Sequence, residues 1–258
     1  MRGLENGSLD DPLLALYGAD ALDFQRGRVS QLLTRMQQDF GLAPTLLTSS
    51  PGRTELGGNH TDHNHGRVLT AAVHLDCLAA VVSTQTRVVT IHSQGFPEPI
   101  VVNLDDTALR PGEEGTPTAI VRGVADGLRL AGHGLAGFNA CVSSEVPMGS
   151  GLSSSAAFEV LIGRIFNELA NGGALSTLEL ARVARLAENT HFGKPCGFMD
   201  QIACAFMGVL QIDFDNPANP GIERVDWDFE AVDYVLAVVN TGGSHANLTP
   251  DYAAIPAE

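Results

Sequence analysis

Residues 146–158 read Val-Pro-Met-Gly-Ser-Gly-Leu-Ser-Ser-Ser-Ala-Ala-Phe, and the rest of the chain is organised around them. Pro147, Gly149 and Gly151 deny regular structure to the first half of the stretch. Behind them Ala156, Val160, Leu161, Ile165 and Leu169 recur at helical spacing, which predicts a loop feeding the N-terminus of a helix. There the first backbone N–H groups lack partners and lie at the positive end of the helix dipole. Glycines also let a bound group approach the main chain, so an anion such as a phosphate is stabilised. A plainer alternative stays open at this point: Ser153, Ser154 and Ser155 cap the helix and do nothing more.

Composition limits what that anion belongs to. The chain has 258 residues, 44% of them hydrophobic, enough for one large domain or two small ones. A formal charge of −15 argues against a nucleic-acid surface, which needs clustered Lys and Arg. Lys194 is the only lysine, and it runs into Pro195 where a Walker A loop needs Ser or Thr. Backbone amides and a divalent cation are therefore expected to neutralise any bound phosphate. No apolar run approaches the ~18 residues of a membrane span, and the first residues lack the apolar core of a signal peptide, so no membrane partner is expected and the cytoplasm is the expected location. Cys77, Cys141, Cys196 and Cys204 show no CxxC pairing and are expected to be buried thiols.

Working outward, periodicity predicts two helices within 11–40, the second with Leu22, Val29, Leu32, Leu33 and Met36 on one stripe. A short strand is expected at 44–50, then a polar, turn-rich loop at 51–66. Strands follow at 76–83, 87–92 and 100–104, most simply as a hairpin or meander. A helix over 118–130 and a strand over 138–142 lead into the opening loop. Beyond its helix come a helix over 176–189 with a capping box at Ser176 and Glu179, and strands over 209–214 and 232–239. Irregular alternation of this kind favours an α+β architecture over a doubly wound sheet.

Two further stretches are loaded with polar groups. Residues 51–66 read Pro-Gly-Arg-Thr-Glu-Leu-Gly-Gly-Asn-His-Thr-Asp-His-Asn-His-Gly, and Arg53, Asn59, His60 and Asp62 can converge on a small ligand rich in hydroxyls. A metal site from His60, Asp62, His63 and His65 and a merely solvated loop are the alternatives. Residues 188–201 contain Glu188, suited to hold Mg²⁺ through one carboxylate oxygen, and Asp200, suited to act as a general base if Arg53 keeps it ionised.

Taken together, the three stretches resemble the galactokinases of the GHMP kinase superfamily. Residues 52–66 resemble the sugar signature Gly-Arg-x-Asn-Leu-Ile-Gly-Glu-His-Thr-Asp-Tyr-Asn-x-Gly, residues 147–157 the phosphate loop Pro-x-Gly-x-Gly-Leu-Ser-Ser-Ser-Ala, and residues 196–201 the motif Cys-Gly-x-Met-Asp-Gln. The resemblance implies a ribosomal-protein-S5-domain-2-like α+β lobe and ATP-dependent phosphorylation of galactose at its anomeric hydroxyl. It implies Asp200 and Arg53 as the catalytic pair, and Asn59, His60, Asp62, the backbone at Gly197, and Tyr252 around the sugar. Gly149, Ser150, Gly151, Leu152, Ser153, Ser154 and Ser155 would hold ATP, and Ser155 with Glu188 would hold Mg²⁺.

The chain's departures from the signature include Asn59 where it has Glu, Glu55 where it has Asn, and His63 where it has Tyr. A kinase for another sugar, such as an amino sugar, and a non-catalytic sugar and ATP sensor are the alternatives, though the complete serine loop weighs against the sensor. The resemblance also implies a second, C-terminal lobe carrying a third, glycine-rich motif. Residues 1–232 are thus expected to form the sugar- and ATP-binding lobe and 233–258 the start of a truncated second lobe, the missing part of which is the expected partner.

Overall fold

The computed structural model describes residues 7–227, 229, 231 and 234–239. After α1 (Asp10–Tyr17) and α2 (Leu22–Phe40), the chain enters β1 (Leu46–Gly57), a 3-10 turn (Thr61–Asn64) and the long β2 (Arg67–Ser83). Then come β3 (Val88–Ser93), β4 (Ile100–Asn103), α3 (Pro117–Leu130), β5 (Phe138–Ser144), α4 (Ser154–Asn171) and α5 (Thr177–Leu186). A π-helical segment (Ala187–Phe192), α6 (Met199–Phe206), β6 (Val209–Asp213) and β7 (Gly221–Val225) complete the described elements. The α+β class expected from the sequence is the one observed.

β2 is the spine of the seven-stranded sheet. β1 runs antiparallel along nearly its whole length, while β5 pairs with Cys77 to Ser83 and β6 with Arg67 to Ala71. Alternation along a strand sends neighbours to opposite faces, and here both faces are covered. Cys77, Ala79 and Val81 join the main core beneath α3, α4, α5 and α6, whereas Leu78 and Ala80 pack with Val29, Leu32, Leu33 and Met36 of α2. That double burial is why this part of β2 reads as an unbroken apolar run.

Several expected boundaries change. The strand expected at 44–50 continues through Pro51, Gly52 and Arg53 to Gly57, so half of the expected loop is sheet. It tolerates Pro51 because the register with β2 shifts between Pro51 and Arg53, a bulge that spares the missing donor. The expected meander is broken: β5 lies between β2 and β3, parallel to β3, and of the three expected strands β2, β3 and β4 the last two alone form a hairpin. Local sequence does not encode that insertion, since β5 arrives about fifty residues later. The helix expected over 176–189 ends at Leu186 and passes into the π segment; its cap is half a capping box, with Glu179 N–H donating to Ser176 Oγ while the Glu179 side chain meets His133 Nε2 at 2.6 Å. Residues 234–239, expected as strand, are exposed and pair with no strand among the described residues, and Tyr252 lies outside those residues. Among the described residues no helix is long and apolar enough to cross a membrane. All four cysteines are free; Cys77, Cys141 and Cys204 are buried and Cys196 half-buried.

Candidate active site

The three loaded stretches meet at the N-terminus of α4. Gly52 presses β1 against the loop: a Cβ there would lie 2.7 Å from the Leu152 carbonyl oxygen, and the Arg53 N–H donates to that same oxygen at 3.1 Å. This contact aims the Arg53 side chain along the loop. Its Nη1 donates to the Gly151 carbonyl at 2.6 Å, and its Nε and Nη2 donate to Asp200 Oδ1 at 2.8 and 2.5 Å. Arg53 is 4% exposed, whereas the Asp200 side chain keeps 26% of its surface open.

Ser153 settles the capping alternative. It occupies the N-cap position of α4 with φ 59°, but its side chain makes no cap bond; its Oγ instead donates to Asp200 Oδ2 at 2.6 Å. With no cap bond from the Ser153 side chain, the N-terminus of α4 keeps the unpaired donors and positive dipole end that favour an anion. Burial alone would raise the Asp200 carboxyl, but the Arg53 charge, the Ser153 hydroxyl and the Arg53 hydrogen bonds outweigh it and hold that carboxyl below its ordinary value.

Within the first turn of α4, the Ser155 hydroxyl donates to Glu188 Oε1 at 2.9 Å. Lys194 Nζ lies 3.2 Å from the same oxygen, and Gln201 Nε2 donates to Glu188 Oε2 at 2.6 Å and to Glu159 Oε2 at 3.1 Å. Glu159 is fully buried, and burial first, then the charge of Glu188, push its carboxyl well above its ordinary value. Hard oxygen donors from Ser155 and Glu188 suit Mg²⁺, an ion held by one or two protein oxygens plus substrate phosphates. Among the described residues no group of three or more His, Cys, Asp or Glu side chains is placed to hold a metal ion, so His60, Asp62, His63 and His65 do not form the histidine-rich alternative.

The sugar-signature loop is anchored from below. Asp62 Oδ2 accepts from the Phe198 and Met199 N–H groups at 2.8 and 3.0 Å, at the start of α6. Gly197 is obligatory beneath it, because a Cβ there would sit 1.7 Å from Asp62 Oδ2. Asp62 is thus buried, with Oδ2 committed to the start of α6 and Oδ1 3.1 Å from His63 Nδ1, while Asn59 and His60 are exposed.

Arg53, Asp62, Gly197, Asp200, Ser153, Ser155 and Glu188 are therefore brought together, with Gly149, Ser150, Gly151, Leu152 and Ser154 as the connecting loop; Tyr252 is not placed. Four features escaped the reading of the sequence. Lys194, given no role from the sequence, reaches Glu188. Gln201 and Glu159 support Glu188 from behind, the latter announced only by an acid inside the apolar face of α4. An apolar cavity of about 280 Å³ also opens beside Ser154 and Ser155, walled by Phe96, Met148, Phe158 and Phe192; its walls come from segments distant in sequence.

Comparison with known proteins follows the same geometry. The GHMP kinases N terminal domain matches residues 119–208, and the galactokinase galactose-binding signature matches residues 35–83. The chain is 35% identical to a galactokinase of Streptomyces coelicolor over 84% of its length and 56% of the relative's, and 38% identical to one of Roseiflexus over 68% and 44%. The crystal structure of Lactococcus lactis galactokinase complexed with galactose superposes with a TM-score of 0.69 at 29% identity, covering 77% of this chain and 52% of that one. The chain spans about half the length of the curated relatives it matches. It belongs to the GHMP kinase family, in its galactokinase branch.

Proposed function

We propose that this chain carries the acceptor- and nucleotide-binding lobe of a galactokinase, which transfers the γ-phosphoryl group of ATP to the anomeric hydroxyl of galactose and yields galactose 1-phosphate. One observation carries the reading: Asp200, charged and open on one side, shares the Arg53–Ser153 corner of an anion-binding loop whose other corner is Ser155 and Glu188. An acceptor hydroxyl resting on Asp200 would face a phosphate cradled by residues 149–155. Asp200 takes the hydroxyl proton as the phosphoryl group moves, and Arg53 holds the carboxylate ionised and offsets the negative charge of the transferring group. His60, Asp62, Asn59 and the backbone at Gly197 hold the remaining sugar hydroxyls, with Tyr252 joining from the tail.

The apolar cavity beside Ser154 suits the base of the nucleotide. Ser155 and Glu188 would hold Mg²⁺, which would supply neutralising charge to the nucleotide's phosphates, and Lys194 adds a positive charge beside Glu188. Positioning and electrostatics then do most of the catalysis. On this reading residues 1–232 form one lobe and 233–258 begin a second, and the enzyme works in the cytoplasm on small molecules, with no nucleic acid or membrane partner. Asn59, neutral where the signature has an acid, favours one second reading, a kinase for another sugar such as an amino sugar.

ADP release with ATP, Mg²⁺ and a panel of sugars tests the proposal. Galactose-dependent release is expected, weaker from this chain than from a form extended by a second lobe. Release with an amino sugar but not galactose would shift the acceptor, equal turnover of the two forms would remove the need for the second lobe, and no sugar-dependent release from the extended form would overturn the reading.

A further inference from the structure

The acid missing at Asn59 has a counterpart four residues earlier. Arg53 and Glu55 lie two apart on β1, opposite Ala72 and Thr70, so both side chains leave the same face of the strand. Arg53 reaches Asp200, and the Glu55 side chain, only 12% exposed, turns to His60 in the sugar-signature loop. Both of its carboxylate oxygens accept from the His60 N–H, at 3.0 and 3.3 Å, and Oε2 lies 3.5 Å from His60 Nε2.

That N–H belongs to a strained turn. Asn59 and His60 are consecutive non-glycine residues in the left-handed region, with φ of 59° and 53°. Something must hold them there. Asp62 fixes the far end of the turn to the start of α6, and Glu55 fixes the near end. The Asn59 side chain makes no hydrogen bond among the described residues, so it holds nothing in place.

We propose that Glu55 is the residue that sets acceptor recognition in this chain: it positions the Asn59–His60 turn and presents its unused lone pairs to a hydroxyl of the bound sugar. A carboxylate offers about four lone-pair sites, and the His60 N–H engages one on each oxygen, leaving acceptor capacity on both. The chain has thus exchanged the side-chain classes of positions 55 and 59 relative to the galactokinase signature while keeping one carboxylate at the rim. The proposal rests on the galactokinase reading.

Galactose and ATP affinities by calorimetry, with amide exchange at His60 by NMR, test it on the wild-type chain, Glu55→Gln, Asn59→Ala and the double exchange Glu55→Asn with Asn59→Glu. Glu55→Gln is expected to weaken galactose binding roughly 10- to 100-fold, the range for losing a hydrogen bond to a charged group. It should also speed His60 amide exchange while leaving ATP affinity unmoved. Asn59→Ala should cost less, and the double exchange should recover part of the galactose affinity. Unchanged galactose affinity or unchanged His60 exchange in Glu55→Gln would overturn the proposal, as would a larger loss in Asn59→Ala. A wild-type chain that binds ATP but no galactose would defeat the functional reading and this proposal with it, a failure told apart because it precedes any substitution.

Discussion

Two arginine–aspartate pairs lie in the interior, and they differ in what surrounds them. Arg28 and Asp76, 6% and 3% exposed, are sealed between α2 and the sheet. Arg28 Nη1 meets Asp76 Oδ1 at 2.5 Å, Arg28 Nη2 donates to the Ser143 carbonyl at 2.7 Å, and Tyr17 Oη donates to Asp76 Oδ2 at 2.6 Å. Every strong donor and acceptor in that cluster is spent on the protein. Arg53 and Asp200 have the same charges at the same distance, but the carboxylate faces a cleft and its remaining partner is a serine at an uncapped helix end. The closed pair fastens a helix to a sheet; the open pair keeps a charged acceptor available to a ligand. Chemistry at this site therefore depends on an incomplete enclosure rather than on unusual residues.

Removing each acid or base in turn should separate the two roles. The largest effect is expected from Asp200→Asn, which keeps shape and most hydrogen bonds but deletes the base: turnover should fall about 10²- to 10⁴-fold with galactose and ATP affinities retained, read by steady-state kinetics beside calorimetry. Arg28→Met should do the reverse. Leaving Asp76 charged and unpaired costs about 3–5 kcal/mol of stability, seen in denaturant unfolding, while turnover per folded molecule stays at the wild-type level.

Arg53→Met sharpens the comparison through pH. The folded-state carboxyl of Asp200 lies below its ordinary value, so its ionised form, and the stability it contributes, is present above the unfolded value and is lost as pH falls through the folded one. Without Arg53 the largest lowering influence disappears and burial dominates. The acid limb of the pH–rate profile should therefore move upward in the variant. The smallest effect is expected from Gln201→Leu, which removes the amide behind Glu188: the Mg²⁺ concentration for half-maximal rate should rise about 10-fold, the low end for losing a partner that orients a metal ligand.

How much of this was legible in the sequence follows from range. Helix α2, the loop before α4 and the residues Arg53, Asp62, Ser155, Glu188 and Asp200 were readable because periodicity and motif spacing are local. The insertion of β5 between β2 and β3, the long β1 through Pro51, and the apolar cavity were not, because pairing partners and cavity walls come from distant segments. Glu55 escaped for a different reason. Its departure from the signature was visible, but only the backbone turn at Asn59 and His60 gives that departure a consequence. Lys194 shows the same limit: the sequence marked it as the sole lysine, and only the fold brings it to Glu188.

The most direct test of the account is ³¹P NMR of the chain extended by a second lobe, incubated with galactose, ATP and Mg²⁺. A new anomeric sugar phosphate resonance is expected to grow as ATP is lost, and to be nearly absent with Asp200→Asn. A product phosphorylated at another hydroxyl, or equal product from the Asp200→Asn protein, would contradict it.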